Sequence, residues 1–572
     1  YIRSMGQGGV ATSSFRGTSS SHTQVNWNGI TINPASNGSF DFSLFPTFFT
    51  DDVALYHGNN YQKNGSGALG GSINLNNTDE RINWGDNKLH STVLTEIGAF
   101  KTYTGGIKTT YTTNRLYSNT RLYYQDSEND FKYENRVFSA TPYKEHRKNA
   151  QYTQFGIMQE LRYKLSENDQ LYTNIWYMDN KNHLPQPLIA DITFPENTRN
   201  KNLRSIINYK GAKGKNNYNF SAAYLLNNYH YQKNDLNTTN IKDKSNSKTH
   251  SFITKADYSY QISPDIFVSA SLNYKYELMH MADGNKLSQH RNTASFQSNM
   301  LWKISNPLDF NIQVMGELND HKFTPTYSAG ISYELIKNSL FIQSSTAYNY
   351  HYPTLNDMYN HNGNTTLKAE KGFSYDATIN FNTDISERLY FKASASYYTM
   401  TIHDWIIWLR LGGNSLAQPQ NVDKVLAHGA EITTETSLHT GSLWHRLFLN
   451  YAYSPSRNKS KGTFESDKSY NKQLPYIPEQ KWNAKYLLKV KDFSLSYGIS
   501  YTGKRYVTPD SEKSTPSSLI HDAQVGYLLH FNQNYKVQLK LRIDNLFDEY
   551  YESTKYYPMS LRSWYVSAQF TF

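Results

Sequence analysis

From about Lys88 to the end of the chain, apolar and polar residues alternate in runs of roughly ten, set apart by short turns and longer polar loops. The last run is the plainest. Trp564, Val566, Ala568, Phe570 and Phe572 are apolar, with Tyr565, Ser567, Gln569 and Thr571 between them. Val537 to Asp544 alternates as strictly. A period of two predicts strands with one apolar face. A soluble sheet would need helices to cover those faces, and no helical segment interrupts the pattern. Short turns are predicted at 112–115, 166–169, 263–265, 337–339, 440–442, 489–492 and 532–534. Long loops are predicted at 132–150, 180–200, 228–248, 351–371, 402–420, 455–480, 502–517 and 548–562. Counting strands between these marks gives about 22, an all-β, antiparallel transmembrane β-barrel whose last strand descends to the short-turn side. A barrel of that width has an open lumen unless something fills it.

The stretch before residue 80 breaks the pattern and is the natural filling. Val25 and Trp27 alternate with polar neighbours, Asn28-Gly29 is a hairpin signal, and Ile30 and Ile32 resume the alternation. Asp51 to Tyr56 and Ser72 to Leu75 predict further short strands. This unit has too few large apolar residues for a core of its own, so it needs an enclosure. The chain therefore divides into a plug domain at 1–80 and a barrel at 81–572. Gly65-Ser66-Gly67-Ala68-Leu69-Gly70 fits the dinucleotide pattern G-x-G-x-x-G, but Ser72 to Asn77 alternates like a strand rather than opening a helix. A closely packed turn is the expectation there.

Composition sharpens the membrane reading. Only 38% of residues are hydrophobic and the mean hydropathy is −0.71, yet there are 48 Tyr, 28 Phe and 9 Trp. A wet lumen, an apolar outer face and aromatic girdles produce that combination. No apolar run is long enough for a transmembrane helix. Without cysteine there is neither a disulfide framework nor a thiolate metal site. The net charge of +10 is scattered among 48 acidic residues rather than gathered in a stripe, so nucleic acid is not the expected partner. Rim charges facing outer-membrane lipids account for it. No H-E-x-x-H, G-x-S-x-G or Walker A pattern points to an enzyme.

Plug and wall together resemble the TonB-dependent outer-membrane transporters. The likeness rests on Arg16-Gly17-Thr18, Asn28-Gly29-Ile30, the run Gly67 to Asn74, Asp544 to Asp548, and terminal Phe572. Within that family, Phe15 to Leu75 is most similar to BtuB-type vitamin B12 (cobalamin) receptors, and Pro353 to Glu370 is similar to a loop shared by B12 and haem receptors. His351-Tyr352-Pro353 departs from the Arg-Ala-Pro of many haem receptors. The resemblance implies a 22-stranded barrel closed by an N-terminal plug in the outer membrane of a Gram-negative bacterium. It also implies import of a cobalamin driven by TonB at the periplasmic face, with no resident cofactor. A surface lipoprotein lid would sit over the long loops. The chain is expected to be a mature or truncated form, with the signal peptide and TonB box upstream of Tyr1.

By the same resemblance, Gln7, Gly9, Val10 and Ala11 with Ser36, Asn37, Gly38 and Ser39 form the floor of the binding site. Small polar loops suit the amide-rich rim of a corrinoid. Trp405 and Trp408 stand where a strand enters a long loop and would pack on a flat ligand, or else belong to the aromatic girdle. Asp126, Glu128 and Asp130 alternate near a loop as a calcium candidate, or as solvated acids. His361 with His22 or His57 would supply iron ligands if the cargo were haem, the alternative beside a siderophore. A surface barrel that mainly docks a partner protein is the rival of another class.

Overall fold

Alternation becomes a wall. In the computed structural model, twenty-two long antiparallel strands close into one barrel among the described residues. The described residues are 2–6, 8–57, 66–77, 82–137, 141–190, 194–235, 241–283, 285–410, 417–461, 468–532 and 534–572. The ring shuts where Ser563–Thr571 pairs with Leu89–Gly98, Val566 opposite Ile97. Leu443–Tyr453 and Ser456–Asn458 both pair with Ala417–Thr440, so they are one strand broken at Pro455, which has no N–H to give the ladder. Trp564 and Val566 are 49% and 48% exposed while Tyr565 is 3% exposed, so the even face of the last strand looks outward. No helix among the described residues is long and apolar enough to cross a membrane.

All seven predicted short turns fall between strands at one end of the barrel, and further tight turns join them at 214–215, 306–307 and 387–388. Strand length departs from expectation. Asn216–Asn234, Ile241–Ser263, Leu389–Arg410 and Ala417–Thr440 run for 19, 23, 22 and 24 residues. Much of 228–248 and 402–420, expected as loop, is therefore paired strand. A backbone ladder does not require apolar side chains, so strands continue above the apolar belt, polar on both faces along 242–248 but still apolar along 405–408. At the long-loop end, 99–101 is a tight hairpin, held by positive φ at Phe100 (61°) and Lys101 (52°).

Inside lies the N-terminal segment. Its strands are β1 (Ile2–Ser4), β2 (Ala11–Ser13), β3 (Thr23–Trp27), β4 (Ile30–Thr31), β5 (Asp52–His57) and β6 (Gly71–Asn76). The central sheet has the order β4-β3-β6-β5, with β3 and β6 parallel. Asn28 (φ 48°) and Gly29 (φ 84°) make the expected hairpin, with Trp27 opposite Ile30. Two successive positive φ angles are what a type I′ turn requires. Gly70 leads straight into β6 rather than a helix, and Gly65 lies outside the described residues.

The enclosure completes the core. Phe15, Val25, Trp27, Ile30, Ile32, Phe49, Ile73 and Leu75 share one cluster with wall residues that include Met158, Trp176, Met178 and Ile206. Trp27 and Trp176 meet edge to face at 5.3 Å. Asn26, which alternation would place on a wet face, is also buried and donates to Asn74 Oδ1 at 2.8 Å. The plug sheet is thus covered on both faces, and on the polar one the buried amides of Asn26 and Asn74 satisfy each other.

Candidate functional site

Two plug loops reach the long-loop end. In the first, Asn182 Nδ2 donates to the Gly8 carbonyl (3.0 Å) and the Ala11 N–H donates to Asp41 Oδ1 (2.9 Å). Gly8 has φ 71°, and a Cβ there would lie 2.3 Å from the Tyr152 ring, so only glycine fits. Val10 is 39% exposed, Gly9 is buried, and Gln7 lies outside the described residues. In the second loop, Asn33 Nδ2 donates to the carbonyls of Thr23 (2.9 Å) and Gly38 (2.7 Å). Asn37 is exposed and its Oδ1 accepts from the Ser39 N–H, while Ser39 Oγ bonds Ser20 Oγ at 2.9 Å.

Ser36 and Gly38 are not free surface. The Asn356 N–H donates to the Ser36 carbonyl at 2.8 Å, and the Gly38 position abuts Thr354. Both belong to the seat of a short helix, α1 (Leu355–Tyr359), capped by Thr354 and Asp357. Trp408 Nε1 donates to Asp357 Oδ1 at 2.8 Å, so that 40% exposed indole is fixed to the helix. Trp405 is 4% exposed and sits edge-on to His22 with ring centroids 4.6 Å apart. Its face is turned into the protein rather than toward the long-loop opening.

The contact beneath these loops was not legible in the sequence. His22 Nε2 and His351 Nδ1 lie 2.9 and 2.7 Å from the same oxygen of Glu370, whose other oxygen accepts from the Ile406 N–H at 2.8 Å. One ligand comes from the plug and two from the wall, 348 residues apart for His22 and Glu370. No local motif could announce that pairing. Among the described residues this is the one group of three or more His, Asp or Glu whose ligand atoms lie within 4.8 Å of one another. The Glu370 carboxylate can only accept, so the contact with His22 Nε2 requires the tautomer protonated there, and the Ser19 N–H pointing at His22 Nδ1 (3.4 Å) agrees with it. That tautomer makes the trio a hydrogen-bonded lock between plug and wall; a metal ion would need the Nε2 lone pair that the proton occupies.

Charged contacts fasten the plug elsewhere. Arg16 bonds Asp376 and Glu431 on the wall and lies over the Tyr398 ring at 4.5 Å. Asp51 of the plug pairs with Arg121 (2.5 Å) and Lys108 (3.1 Å), and Arg121 also donates to the Phe48 carbonyl. Burial opposes ionisation of Asp51, but Arg121 and Lys108 outweigh it and hold its pKa below 3.8. All these ties are non-covalent, as a chain without cysteine requires. Between plug and wall lies a cavity of about 1400 Å³, lined by Phe15, Arg16 and His57 and by wall serines and asparagines. Pro264, Asp265, Lys303 and Asp309 in that lining place it toward the short-turn end.

The remaining candidates stand apart. Asp126 accepts from Thr153 Oγ1, Glu128 pairs with Lys101 at 2.7 Å, and Asp130 lies 3.9 Å from His146. Asn129 has φ 50° just beyond the end of its strand, which breaks the alternation that would have aligned the three acids. They do not converge as ligands. His361 is exposed, whereas His22 is wholly buried and committed to Glu370, so the two do not form a sandwich.

A family model described as "TonB dependent receptor-like, beta-barrel" matches residues 9–546. A protein named vitamin B12 transporter BtuB, from Photobacterium profundum, is 22% identical over 97% of this chain and 85% of its own length. A second of that name, from Vibrio vulnificus (strain YJ016), is 22% identical over 99% of this chain and 87% of its own. Among solved structures, the copper transporter OprC superposes with a TM-score of 0.82 at 12% identity, covering 100% of this chain and 94% of that one. The siderophore receptor PirA from Acinetobacter baumannii gives 0.79 at 15% identity, with the same coverage.

Proposed function

The chain belongs to the TonB-dependent receptors, transport proteins of the Gram-negative outer membrane rather than enzymes, and from that premise we propose that it imports a cobalamin. The observation that carries the cargo is the kinship with two vitamin B12 transporters along nearly the whole chain, plug and wall alike. The upper plug surface supports it. Val10, Asn37 and Ser39 present small neutral groups, on loops that Gly9, Ala11, Ser36 and Gly38 hold in place. Cobalamins carry neutral amide side chains, which such loops can pair with at no cost of desolvating a charge. Trp408 packs at the rim, and cobalt needs no protein ligand. In the same reading, the plug comprises residues up to about 80 and TonB pulls on it. The lock at Glu370 then breaks, and cargo passes into the cavity at the short-turn end.

Titration calorimetry of the detergent-purified protein against cyanocobalamin, hemin and a ferric siderophore tests this. Tight binding of cyanocobalamin alone is expected, with Asn37→Phe weakening it more than tenfold, about 1.4 kcal/mol. A ferric-siderophore cargo is the second reading, favoured by the siderophore receptors that share the fold. Heat from the siderophore or hemin, with none from cobalamin, overturns the assignment.

A further inference from the structure

The outer face of the barrel carries a patch of cations that cargo import does not use. Burial alternates along these strands, so the outward residues can be read off. In Glu196–Lys213, Thr198, Asn200 and Asn202 are buried, and Arg199 and Lys201 point the other way. In Ile241–Ser263, Thr249 and Ser251 are buried, and Lys248 points outward. In Asp169–Leu184, Asn180 and Asn182 are buried, and Asp179 and Lys181 point outward.

The register stacks these residues in rows. Tyr224, Phe252 and Tyr276 form one row across three strands, with ring centroids 5.0 and 6.4 Å apart. Below it toward the short turns lie outward apolar residues, among them Phe220, Leu272 and Phe296, all more than half exposed. The aromatic row, with one further outward row of Leu203, Leu226 and Leu278 above it, therefore marks the upper edge of the lipid belt. Four residues higher on each strand come Lys201, Asn228, Lys248 and His280, directly opposite one another in turn. The next row up sets Lys181 opposite Arg199 and Arg199 opposite His230.

Like charges directly opposed on one face of a sheet repel. Across the six strands from Asp169 to Ser305, Asp179, which stands opposite Lys201, is the one carboxylate in these two rows, and both its oxygens are taken by Arg199 at 2.9 and 2.6 Å. Lys201 and Lys248 flank Asn228 about 10 Å apart, two strand spacings, which two lysine side chains can close around a single anion. The height settles which anion. This row stands just above the lipid belt on the long-loop side, where headgroup phosphates of the outer leaflet lie.

We propose that Lys201, Asn228 and Lys248, backed by Arg199 and Lys181, bind a phosphate of a phosphorylated outer-leaflet glycolipid. Native mass spectrometry of the full chain in detergent tests this with three probes: diphosphoryl lipid A, dephosphorylated lipid A and inorganic pyrophosphate. Diphosphoryl lipid A should be retained at least tenfold better than the dephosphorylated form. The double variant Lys201→Gln/Lys248→Gln should lose that preference, and Lys201→Arg/Lys248→Arg should keep it. Lys337→Gln/Lys491→Gln, the same charge change at the short-turn end, should leave retention unchanged, and heat-resistant gel migration shows that each barrel is folded. Equal retention of both lipids overturns the proposal, as does equal loss in the short-turn control. Retention of pyrophosphate as strong as that of the lipid also overturns it, because the site would then hold any free phosphate.

Discussion

Glu370 shows what one side chain does between plug and wall. It accepts from two histidines and a backbone N–H while 1% exposed. Replacing it by Gln turns the amide N–H₂ either toward both histidine donors or toward the Ile406 N–H, leaving at least one buried donor unmet at about 1–3 kcal/mol. Glu370→Gln is expected to speed hydrogen exchange across β3 with the barrel still closed; unchanged exchange would show that the trio does not hold the plug. Asp51 gives a second test, with a definite sign. Its folded pKa is depressed below 3.8, so its contribution is present above that value and is lost as pH falls through the folded pKa. Proteolysis of the plug should therefore rise below about pH 4 in the native chain, and Asp51→Asn should flatten that part of the profile. The carboxylate is partly exposed, so the effect is modest.

At the scale of one element, the final strand separates lipid from lumen residue by residue. Ala568 lies on the same face as Trp564 and Val566 and pairs with Leu539 and Thr95 on its two neighbours. Ala568→Arg should cost about 2–4 kcal/mol if that position lies near the bilayer midplane. Loss of heat-resistant migration on a gel is the expected readout, and a folded barrel of unchanged resistance counts against the lipid face. The long strands carry the converse lesson. Leu389–Arg410 and Ala417–Thr440 stay paired well past the apolar belt, which lifts Trp408 to the rim and sets Trp405 against the plug. Strand pairing, not hydrophobicity, decides where such an element ends.

For the molecule as a whole, plug and wall are one folding problem. The largest apolar cluster is built from both, and the wall carboxylates of Asp376 and Glu160, both buried, and of half-buried Glu431 face Arg16 of the plug or Arg121 beside it. A variant lacking residues 1–80 keeps the ladders of the barrel, since among the described residues no barrel strand pairs with a plug strand. It should insert in planar bilayers and conduct ions on the order of tenfold more than the full chain. Equal conductance would mean that the plug does not obstruct the lumen.

The period-two alternation determined the barrel, its strand number and its lipid face, because each strand reports locally which side meets hydrocarbon. Asn28-Gly29 determined the plug hairpin for the same reason: the turn is made by the residues that encode it. Tertiary structure alone decided that Asn26 is buried, that Ser36 and Gly38 seat a helix, and that Trp405 faces His22. It alone brought Glu370 to two histidines, and Arg16 to Asp376 and Glu431, across hundreds of residues. Such contacts depend on how far the plug is inserted and how it is turned within the ring. No period in either segment encodes that register, because it is set by the fit of two finished surfaces.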